Sequence, residues 1–256
     1  MLRMLALSLG LTCAGLSAQA TTLYTVDGDA GSDALGYAVA VIGDVDGDGY
    51  DDFIIGAYGE DTNGTDSGAA RVFSGQTGSP LYIFNGNSAG DRLGWAVSGA
   101  GDVDGDGYAD FIVGAPFDNN VGAATVYSGQ AGTVLYTFNG GGFGDYFGIA
   151  VGGAGDVDAD GYDDLVVGAP FEDNNGSNSG SIEIFSGQSG LLLWTLNGDS
   201  ANDNLGAAVA GAGDVNADGY DDVIAGAYLD DDNGRNLGME RISSGSPGTT
   251  IYSFYG

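Results

Sequence analysis

The sequence repeats itself, and this repeat constrains the fold more than any other feature. A nine-residue acidic segment begins at Asp44 as DVDGDGYDD and returns, with small changes, at Asp102, Asp156 and Asp214. A strand-like segment keeps step with it, as LYTV, LYIF, LYTF, LWTL and IYSF, at spacings of 54 to 58 residues. Because several different segments share one period, the chain is an array of similar units, each of which needs a neighbour to bury its apolar surface.

Each unit divides into four short strands. In the second unit they are LGWAVSGAG at 93–101, FIVGA at 111–115, AATVYSG at 123–129 and LYTFNG at 135–140, with the acidic segment between the first two. The consecutive apolar residues of FIVGA predict an inner strand that is buried on both faces. Four-stranded sheets stacked face to face around an axis meet this need, so we predict an all-β protein, a β-propeller of four-stranded antiparallel blades.

The number of units leaves two arrangements open. Four units predict either a closed four-bladed ring or an open arc of a larger propeller. The segment at 22–26 resembles the fourth strand of a unit but precedes the first complete unit, so the sequence has five copies of that strand. The sequence also stops directly after a strand, which leaves open whether the chain is truncated.

The acidic segments have the composition of cation-binding loops. In the first copy the carboxylates stand at alternate positions, and Gly49 permits the sharp bend that turns alternate oxygens towards one centre. Two such carboxylates at ~4 Å repel by about 1 kcal/mol in water-like surroundings, and a divalent cation reverses that sign. Flexible oxygen donors favour Ca²⁺ over Mg²⁺, so we predict up to four calcium sites. The predicted ligands are Asp44, Asp46, Asp48, Tyr50 and Asp52; Asp102, Asp104, Asp106, Tyr108 and Asp110; Asp156, Asp158, Asp160, Tyr162 and Asp164; and Asp214, Asn216, Asp218, Tyr220 and Asp222.

Two other readings of these segments are weaker. An EF-hand loop needs a Glu at position 12 and flanking helices, whereas here the flanks are strands and position 12 is apolar in all four copies. Solvated acidic turns without a cation do not account for four copies in register, each with Gly at position 6 and Asp at position 9. Asn216 replaces one carboxylate, so the fourth site is predicted to bind most weakly. The tyrosines at position 7 are predicted to pack their rings rather than form a platform for a ligand.

The first twenty residues have the pattern of a secretory signal peptide. Arg3 provides a positive start, an apolar run follows, and Ala18-Gln19-Ala20 matches a cleavage site. We therefore predict a signal peptide at 1–20, a repeat domain at 21–256 and a secreted, extracellular protein. The predicted domain carries four arginines against 36 acidic residues, a net charge of −32, which excludes nucleic acid and anionic membranes as partners.

The residues after position 20 include no Cys, His or Lys. This composition excludes disulfides, Ser-His and Cys-His nucleophiles and a lysine base. A carboxylate pair for glycoside cleavage stays open, but the repeat already accounts for nearly every clustered acid. We therefore predict that the chain is not an enzyme.

The repeated motifs resemble a known family. Leu-Gly or Phe-Gly opens each unit, as at Leu35-Gly36 and Phe147-Gly148, and Gly-Ala-Pro follows the second strand at 114–116 and 168–170. With the DxDxDGxxD segment between them, these motifs resemble the FG-GAP repeat of integrin α-subunit propellers and their bacterial relatives. The resemblance implies a calcium-binding propeller used in extracellular adhesion or recognition, with ligands at the positions given above. The integrin-type propeller has seven blades, whereas this sequence has four units.

Strand alternation predicts two different faces. The acidic loops and the SGQxG turns fall on one face, and the long loops at 59–68, 171–180 and 229–238 fall on the other with the connections between blades. The varied long loops are the candidates for recognition of an extracellular protein or glycan. Self-association is expected if the propeller is incomplete. The alternative is a structural or truncated repeat unit with no ligand beyond calcium.

Overall fold

The computed structural model describes residues 23–231, 238–245 and 248–255. This part of the chain forms sixteen strands in four antiparallel sheets, each of four strands in chain order, which confirms the predicted blades. The strands are β1 (Ala38–Gly43), β2 (Asp52–Ala57), β3 (Ala69–Phe73), β4 (Pro80–Asn85), β5 (Ala96–Gly101), β6 (Asp110–Ala115), β7 (Ala123–Tyr127), β8 (Val134–Asn139), β9 (Ala150–Gly155), β10 (Asp164–Ala169), β11 (Ser181–Phe185), β12 (Leu192–Asn197), β13 (Leu205–Gly213), β14 (Asp222–Ala227), β15 (Met239–Ser243) and β16 (Thr250–Tyr255). One 3₁₀ turn, Asp118–Asn120, follows β6.

The blades pack side by side through their inner strands. We number them so that blade 1 is β1–β4, blade 2 is β5–β8, blade 3 is β9–β12 and blade 4 is β13–β16. β1 packs on β5, β5 on β9 and β9 on β13, and an apolar core fills each of the three junctions. In the described part of the chain no comparable packing joins β13 to β1. The molecule is therefore an open arc, the second of the two predicted arrangements.

A bulge at the end of each first strand sets up the acidic loop. The β1–β2 pairing shifts register so that Gly43 lies opposite Asp52, and Gly101 lies opposite Asp110 in the same way in blade 2. Both glycines have positive φ, 78° each, which other residues rarely adopt. A Cβ at Gly101 would also lie 2.0 Å from Asp163 Oδ2 of the next blade. Glycine at this position therefore lets the loops of neighbouring blades approach.

The predicted strand limits are too long at two places. Leu93 and Gly94 precede β5: Leu93 bridges to Gly68 of the preceding blade, and Gly94 N–H donates to Gly114 O of its own blade at 3.0 Å. Ser128 follows β7 because its N–H donates to Thr133 O in the turn to β8. The alternating pattern continues through these residues, so the sequence does not mark where the sheet pairing stops.

The fifth copy of the fourth strand is not a strand. Residues 23–28 have no sheet pairing, although Tyr24 OH donates to Gln76 O at 2.6 Å. The fourth-strand residues Tyr82 and Tyr136 make the same contact with the next blade, at Gln130 O and Gln188 O. The segment therefore occupies the place of a preceding blade's outer strand, but no strand of the described residues pairs with it.

Candidate metal centres and the opposite face

The first aspartate of each acidic loop folds the loop around its own carboxylate. Asp44 Oδ1 accepts from Gly47 N–H at 2.7 Å and from Asp48 N–H at 3.1 Å, and Asp44 Oδ2 accepts from Gly49 N–H at 2.8 Å. The bond to position 6 recurs at 3.0 Å in the other three loops. Gly49 has a φ of 87°, as the predicted sharp bend requires. The loop is thus wound into one compact turn.

The aspartates at positions 3 and 5 use one oxygen each to hold the turn. In loop 1, Asp46 Oδ1 accepts from Asp48 N–H at 3.1 Å, and Asp48 Oδ1 accepts from Tyr50 N–H at 2.9 Å. The same bonds recur in loops 2, 3 and 4. A carboxylate has more acceptor capacity than one backbone bond uses, so these groups keep lone pairs for a further ligand.

The ninth residue has a structural role that the sequence did not reveal. Asp110 is fully buried, and its two oxygens accept from Val103 N–H at 2.8 Å and from Gly129 N–H at 2.9 Å. It therefore ties the loop to the SGQxG turn between β7 and β8. Burial raises the pKa of Asp110 to about 6 and that of its counterpart Asp164 to about 7, although the two backbone bonds oppose this shift.

Three of the four loops bring three of their four predicted carboxylate ligands together, and the clusters leave out Asp52, Asp106 and Asp160. In each of these loops one oxygen from each of three aspartates lies within 4.8 Å of the others. The three clusters are Asp44, Asp46 and Asp48; Asp102, Asp104 and Asp110; and Asp156, Asp158 and Asp164. In addition, Asp102 Oδ1 is buried and has no hydrogen-bond partner within the described residues. A buried carboxylate oxygen beside two further carboxylates is a donor set that suits a hard cation such as Ca²⁺.

In the fourth loop, neutral side chains donate hydrogen bonds to one of the carboxylates. Asn216 Nδ2 donates to Asp218 Oδ2 at 2.9 Å, and Ser244 Oγ donates to the same oxygen at 3.1 Å. The bond from Asn216 is the main cause of the lowered pKa of Asp218. This loop keeps the same backbone turn, yet it does not gather three carboxylates as the other described loops do.

Neighbouring loops are linked through residues that the sequence analysis passed over. Asp163, at position 8 of loop 3, accepts from Asp102 N–H of loop 2 at 2.9 Å, and Asp221 makes the same bond to Asp156 at 3.1 Å. Two of the position-7 tyrosines pack on the preceding loop, because a Cβ at Gly47 would lie 2.6 Å from the Tyr108 ring and one at Gly105 would lie 2.6 Å from the Tyr162 ring. Tyr50 has no preceding loop to pack on and is 56% exposed. The sequence signal that could have predicted the links between loops is the repeated Asp at position 8.

The opposite face carries a row of aromatic rings that crosses three blades. Successive ring centroids lie 4.6 to 5.6 Å apart. The guanidinium of Arg92 lies over the row, 4.6 Å from the centre of Phe117. The rings come from the connections that flank the first and second strands and belong to Tyr37, Tyr58, Trp95, Phe117, Tyr146 and Phe171. We call them the aromatic row. Sequence reasoning pointed to the long loops, which include Phe171, and missed the other five residues of the row.

Acidic side chains on this face are arranged differently from blade to blade. In blade 1, Arg71 of β3 bonds to Asp29 at 2.6 Å and to Glu60 at 2.9 Å. In blade 4, Arg241 occupies the same strand position and pairs with Asp199. These two guanidinium groups neutralise the acids around them.

Blades 2 and 3 have no arginine at that strand position. Thr125 stands there in blade 2, beside a cavity of about 160 Å³ that Asp91 and Asp118 also line. In blade 3 the position is Glu183, near Asp145 and Glu172. Burial raises the pKa of Glu172 to about 7, and the neighbouring Asp145 and Glu183 add to this shift. The third blade thus keeps an acidic group without an internal cation.

Comparison with known proteins identifies the repeat. The family model for the FG-GAP repeat matches residues 35–73, 93–134 and 147–184. The chain is an FG-GAP repeat protein. The matched segments cover the acidic loops of blades 1 to 3, and the fourth FG-GAP-like unit carries the altered loop with Asn216.

The FG-GAP repeats are similar to those of integrin α subunits. The chain is 31% identical over 213 residues to integrin alpha-V of Gallus gallus, which covers 76% of this chain and 20% of that protein. It is 35% identical over 171 residues to integrin alpha-6 of Homo sapiens, covering 63% of this chain and 14% of that protein. The chain therefore spans a fifth or less of the length of these relatives.

A solved structure shares the fold at lower sequence similarity. The rhamnogalacturonan lyase YesW superposes with a TM-score of 0.51 at 20% identity, over 83% of this chain and 41% of the lyase. This likeness concerns the fold alone. A search of the described residues for helices found none with the length and apolar character needed to cross a membrane. The predicted signal peptide at 1–20 lies outside the described residues.

Proposed function

We propose that this chain is an exported calcium-binding module for extracellular recognition or adhesion. The carboxylate clusters of blades 1 to 3 support this proposal most strongly, and in particular the buried, unpartnered Oδ1 of Asp102 beside Asp104 and Asp110. The export part of the proposal rests on the sequence pattern of residues 1–20. The adhesion part rests on the similarity to integrin α subunits.

Calcium would stabilise the folded chain. A bound Ca²⁺ supplies two positive charges at a point where three carboxylates otherwise repel one another. Asp102, Asp104 and Asp110 would hold it in blade 2, and the backbone bonds already described orient the first two. Because Asp163 joins loop 3 to loop 2, neutralising one loop also steadies its neighbour. A chain without disulfides after position 20 gains its loop order in this way.

Calorimetry with the chain 21–256 tests the calcium sites. Titration with Ca²⁺ should show at least three binding events, and Mg²⁺ should bind more weakly because it demands stricter octahedral geometry. Asp104→Asn should remove or weaken one event. Asp27→Asn provides the matched control, because Asp27 is exposed and lies outside the loops. The proposal fails if no heat of binding is seen at millimolar Ca²⁺, or if Asp27→Asn and Asp104→Asn behave alike.

The aromatic row is the surface proposed for recognition. The rings meet edge-on or at a tilt, and together with the guanidinium of Arg92, which also pairs with Asp66 at 3.6 Å, they combine apolar area with a cationic group. Such a surface suits an extracellular protein side chain or a sugar ring.

Binding to glycan and extracellular-protein arrays, with Ca²⁺ and with EDTA, tests this surface. A hit that Trp95→Ala abolishes, while circular dichroism is unchanged, supports the recognition role. Binding that survives Trp95→Ala contradicts the assignment of this surface. The absence of any hit with a calcium-loaded chain supports the alternative function, a structural unit with no ligand beyond calcium.

A further inference from the structure

The three junctions inside the arc are built from the same two half-surfaces. At each junction a glycine of one blade bridges to the opening Leu or Phe of the next, as Gly68–Leu93, Gly122–Phe147 and Gly180–Leu205. Within the described residues, Leu35 of blade 1 and Gly238 of blade 4 have the same repeat positions but form no such bridge. The arc therefore presents one unmatched half at each end.

The first-blade face is the half that would receive a preceding blade. It is defined by Leu35, Val39, Phe53 and Ile55, whose counterparts in blade 2 are Leu93, Val97, Phe111 and Val113. Phe111 and Val113 are fully buried against blade 1, whereas Phe53 and Ile55 are partly exposed and Val39 is 67% exposed. This face is apolar and is built like an interior surface, and none of the described residues covers it as blade 1 covers blade 2.

The last-blade face is the half that would receive a following blade. It is defined by Ile224, Ile242, Tyr252 and Phe254. Phe254 is 53% exposed, while its counterpart Phe138 in blade 2 is 7% exposed in the junction with blade 3. An open cavity of about 520 Å³ borders this face beside Met239 and Phe254.

We propose that a second copy of this chain covers these faces, with the last-blade face of one copy packed on the first-blade face of the other. The second copy is the occupant because the two exposed faces are the two halves of an interface that the chain already forms three times. Such head-to-tail contact is heterologous, so it closes into a ring or continues into longer arrays according to the angle of the arc. This inference does not depend on calcium binding or on the aromatic row.

Two local features oppose the contact and provide sharp tests. Tyr24 already occupies Gln76 O, the acceptor that a partner's Tyr252 would use by analogy with Tyr82 and Gln130. Glu240 stands at the strand position that Ala70 and Ala124 hold in the buried junctions. A carboxylate covered by an apolar face loses its hydration without gaining a partner, which weakens association.

The experiment is sedimentation velocity of the chain 21–256 over a range of concentrations in Ca²⁺. The unmodified chain should show a mass of two copies or more that falls on dilution. Val39→Lys and Phe254→Lys should each abolish self-association, and both positions are exposed enough to accept lysine. Leu191→Lys is the matched control, because Leu191 is 67% exposed but lies on neither end face, and it should associate normally.

Mixing the two variants separates head-to-tail contact from other modes. The Val39→Lys chain retains an intact last-blade face, and the Phe254→Lys chain retains an intact first-blade face, so an equimolar mixture should form a species of two chains. Contact between two identical faces predicts instead that one of these variants still associates alone. That result, or a monomeric unmodified chain at all concentrations, would overturn the proposal.

Two tyrosines at the same repeat position should respond in opposite directions. Tyr252→Ala should weaken association because it removes the incoming side chain, whereas Tyr24→Ala should strengthen it because it frees Gln76 O. Glu240→Ala should also tighten association, by about tenfold if one unpaired charge is no longer buried. Equal effects of the two tyrosine substitutions would contradict the proposed geometry.

Discussion

The two faces of the arc differ in how faithfully they repeat. On the acidic-loop face the first aspartate accepts from the position-6 N–H in all four blades, and a cluster of three carboxylates recurs in three of them, completed by Asp48 in the first and by the ninth residue in the other two. On the opposite face the equivalent strand position is Arg71, Thr125, Glu183 or Arg241, and the acidic neighbours accordingly pair with an arginine, line a cavity or have a raised pKa.

This difference indicates two kinds of constraint. A cation needs the same oxygen geometry in every blade, so the loops that hold one cannot vary much. A recognition surface takes its specificity from residues that differ, on a framework that stays constant. The first face is therefore interpreted as the part that stabilises the arc, and the second as the part that distinguishes its partners.

The largest expected effect comes from the buried ninth residue. Asp110→Ala leaves the N–H groups of Val103 and Gly129 without acceptors in the interior, which costs about 2–6 kcal/mol at about 1–3 per buried group. Asp222→Ala should cost less, because the bond to Gly245 is longer, at 3.3 Å, and Val215 is 46% exposed to water. Urea unfolding in EDTA measures both. Equal losses would show that the fourth loop is tied as firmly as the second.

A smaller effect is expected when loop 2 is given the donor set of loop 4. Asp104→Asn removes one carboxylate from the cluster with Asp102 and Asp110. Calcium should then raise the melting temperature less than it does in the unmodified chain, while the stability in EDTA should hold or rise because repulsion falls. Differential scanning calorimetry in both buffers decides the matter. An unchanged calcium shift would mean that Asp104 is not a ligand.

On the opposite face the expected effect is a pH dependence. The pKa of Glu172 is raised to about 7 by burial and by Asp145, so the folded chain binds a proton that the unfolded chain releases near the ordinary glutamate pKa of 4.5. The stability contribution of this group is therefore present at low pH and is lost as pH rises towards and through 7. Glu172→Gln should flatten the fall in melting temperature between pH 5 and 8. Glu60→Gln in blade 1, beside Arg71, should not flatten it.

The smallest effect is expected from the reverse exchange in loop 4. Asn216→Asp adds a carboxylate but removes the bond from Asn216 Nδ2 to Asp218. It should tighten calcium binding at this loop and slightly raise the calcium-bound melting temperature, because the attraction to a doubly charged ion exceeds the added repulsion. In EDTA the melting temperature should fall or stay unchanged. A loop 4 that binds calcium no more tightly would show that geometry, and not charge count, sets the affinity.

The sequence predicts what lies within one repeat better than what lies between repeats. The spacing of Asp44, Asp46 and Asp48 predicts their convergence, and the structure brings them within 4.8 Å. The bond from Asp102 N–H to Asp163 joins residues 61 positions apart in different blades, and the recurrence of Asp at position 8 does not by itself name the partner. The aromatic row likewise forms only when connections from three blades meet.

The choice between ring and arc also lay beyond the repeat pattern. Whether the blades close into a ring depends on the angle between neighbouring blades. Small differences in this angle at each junction add up along the arc. Identical strand patterns are compatible with either a ring or an arc. In this chain Val39 and Phe254 are exposed at the two ends, as in an open arc. Calcium binding by the predicted loops stays a prediction. The sequence pattern and the arrangement of the carboxylate oxygens favour it.

Thermal unfolding of the chain 21–256 in millimolar Ca²⁺ and in EDTA tests the central claim most directly. A site filled at 100 times its Kd adds about 2.7 kcal/mol, and each kcal/mol raises the melting temperature of a chain of this size by about 2–4 °C. One filled site therefore raises it by about 5 °C or more, and three filled sites should raise it by clearly more. Superimposable melts in the two buffers would contradict the claim that calcium stabilises this arc.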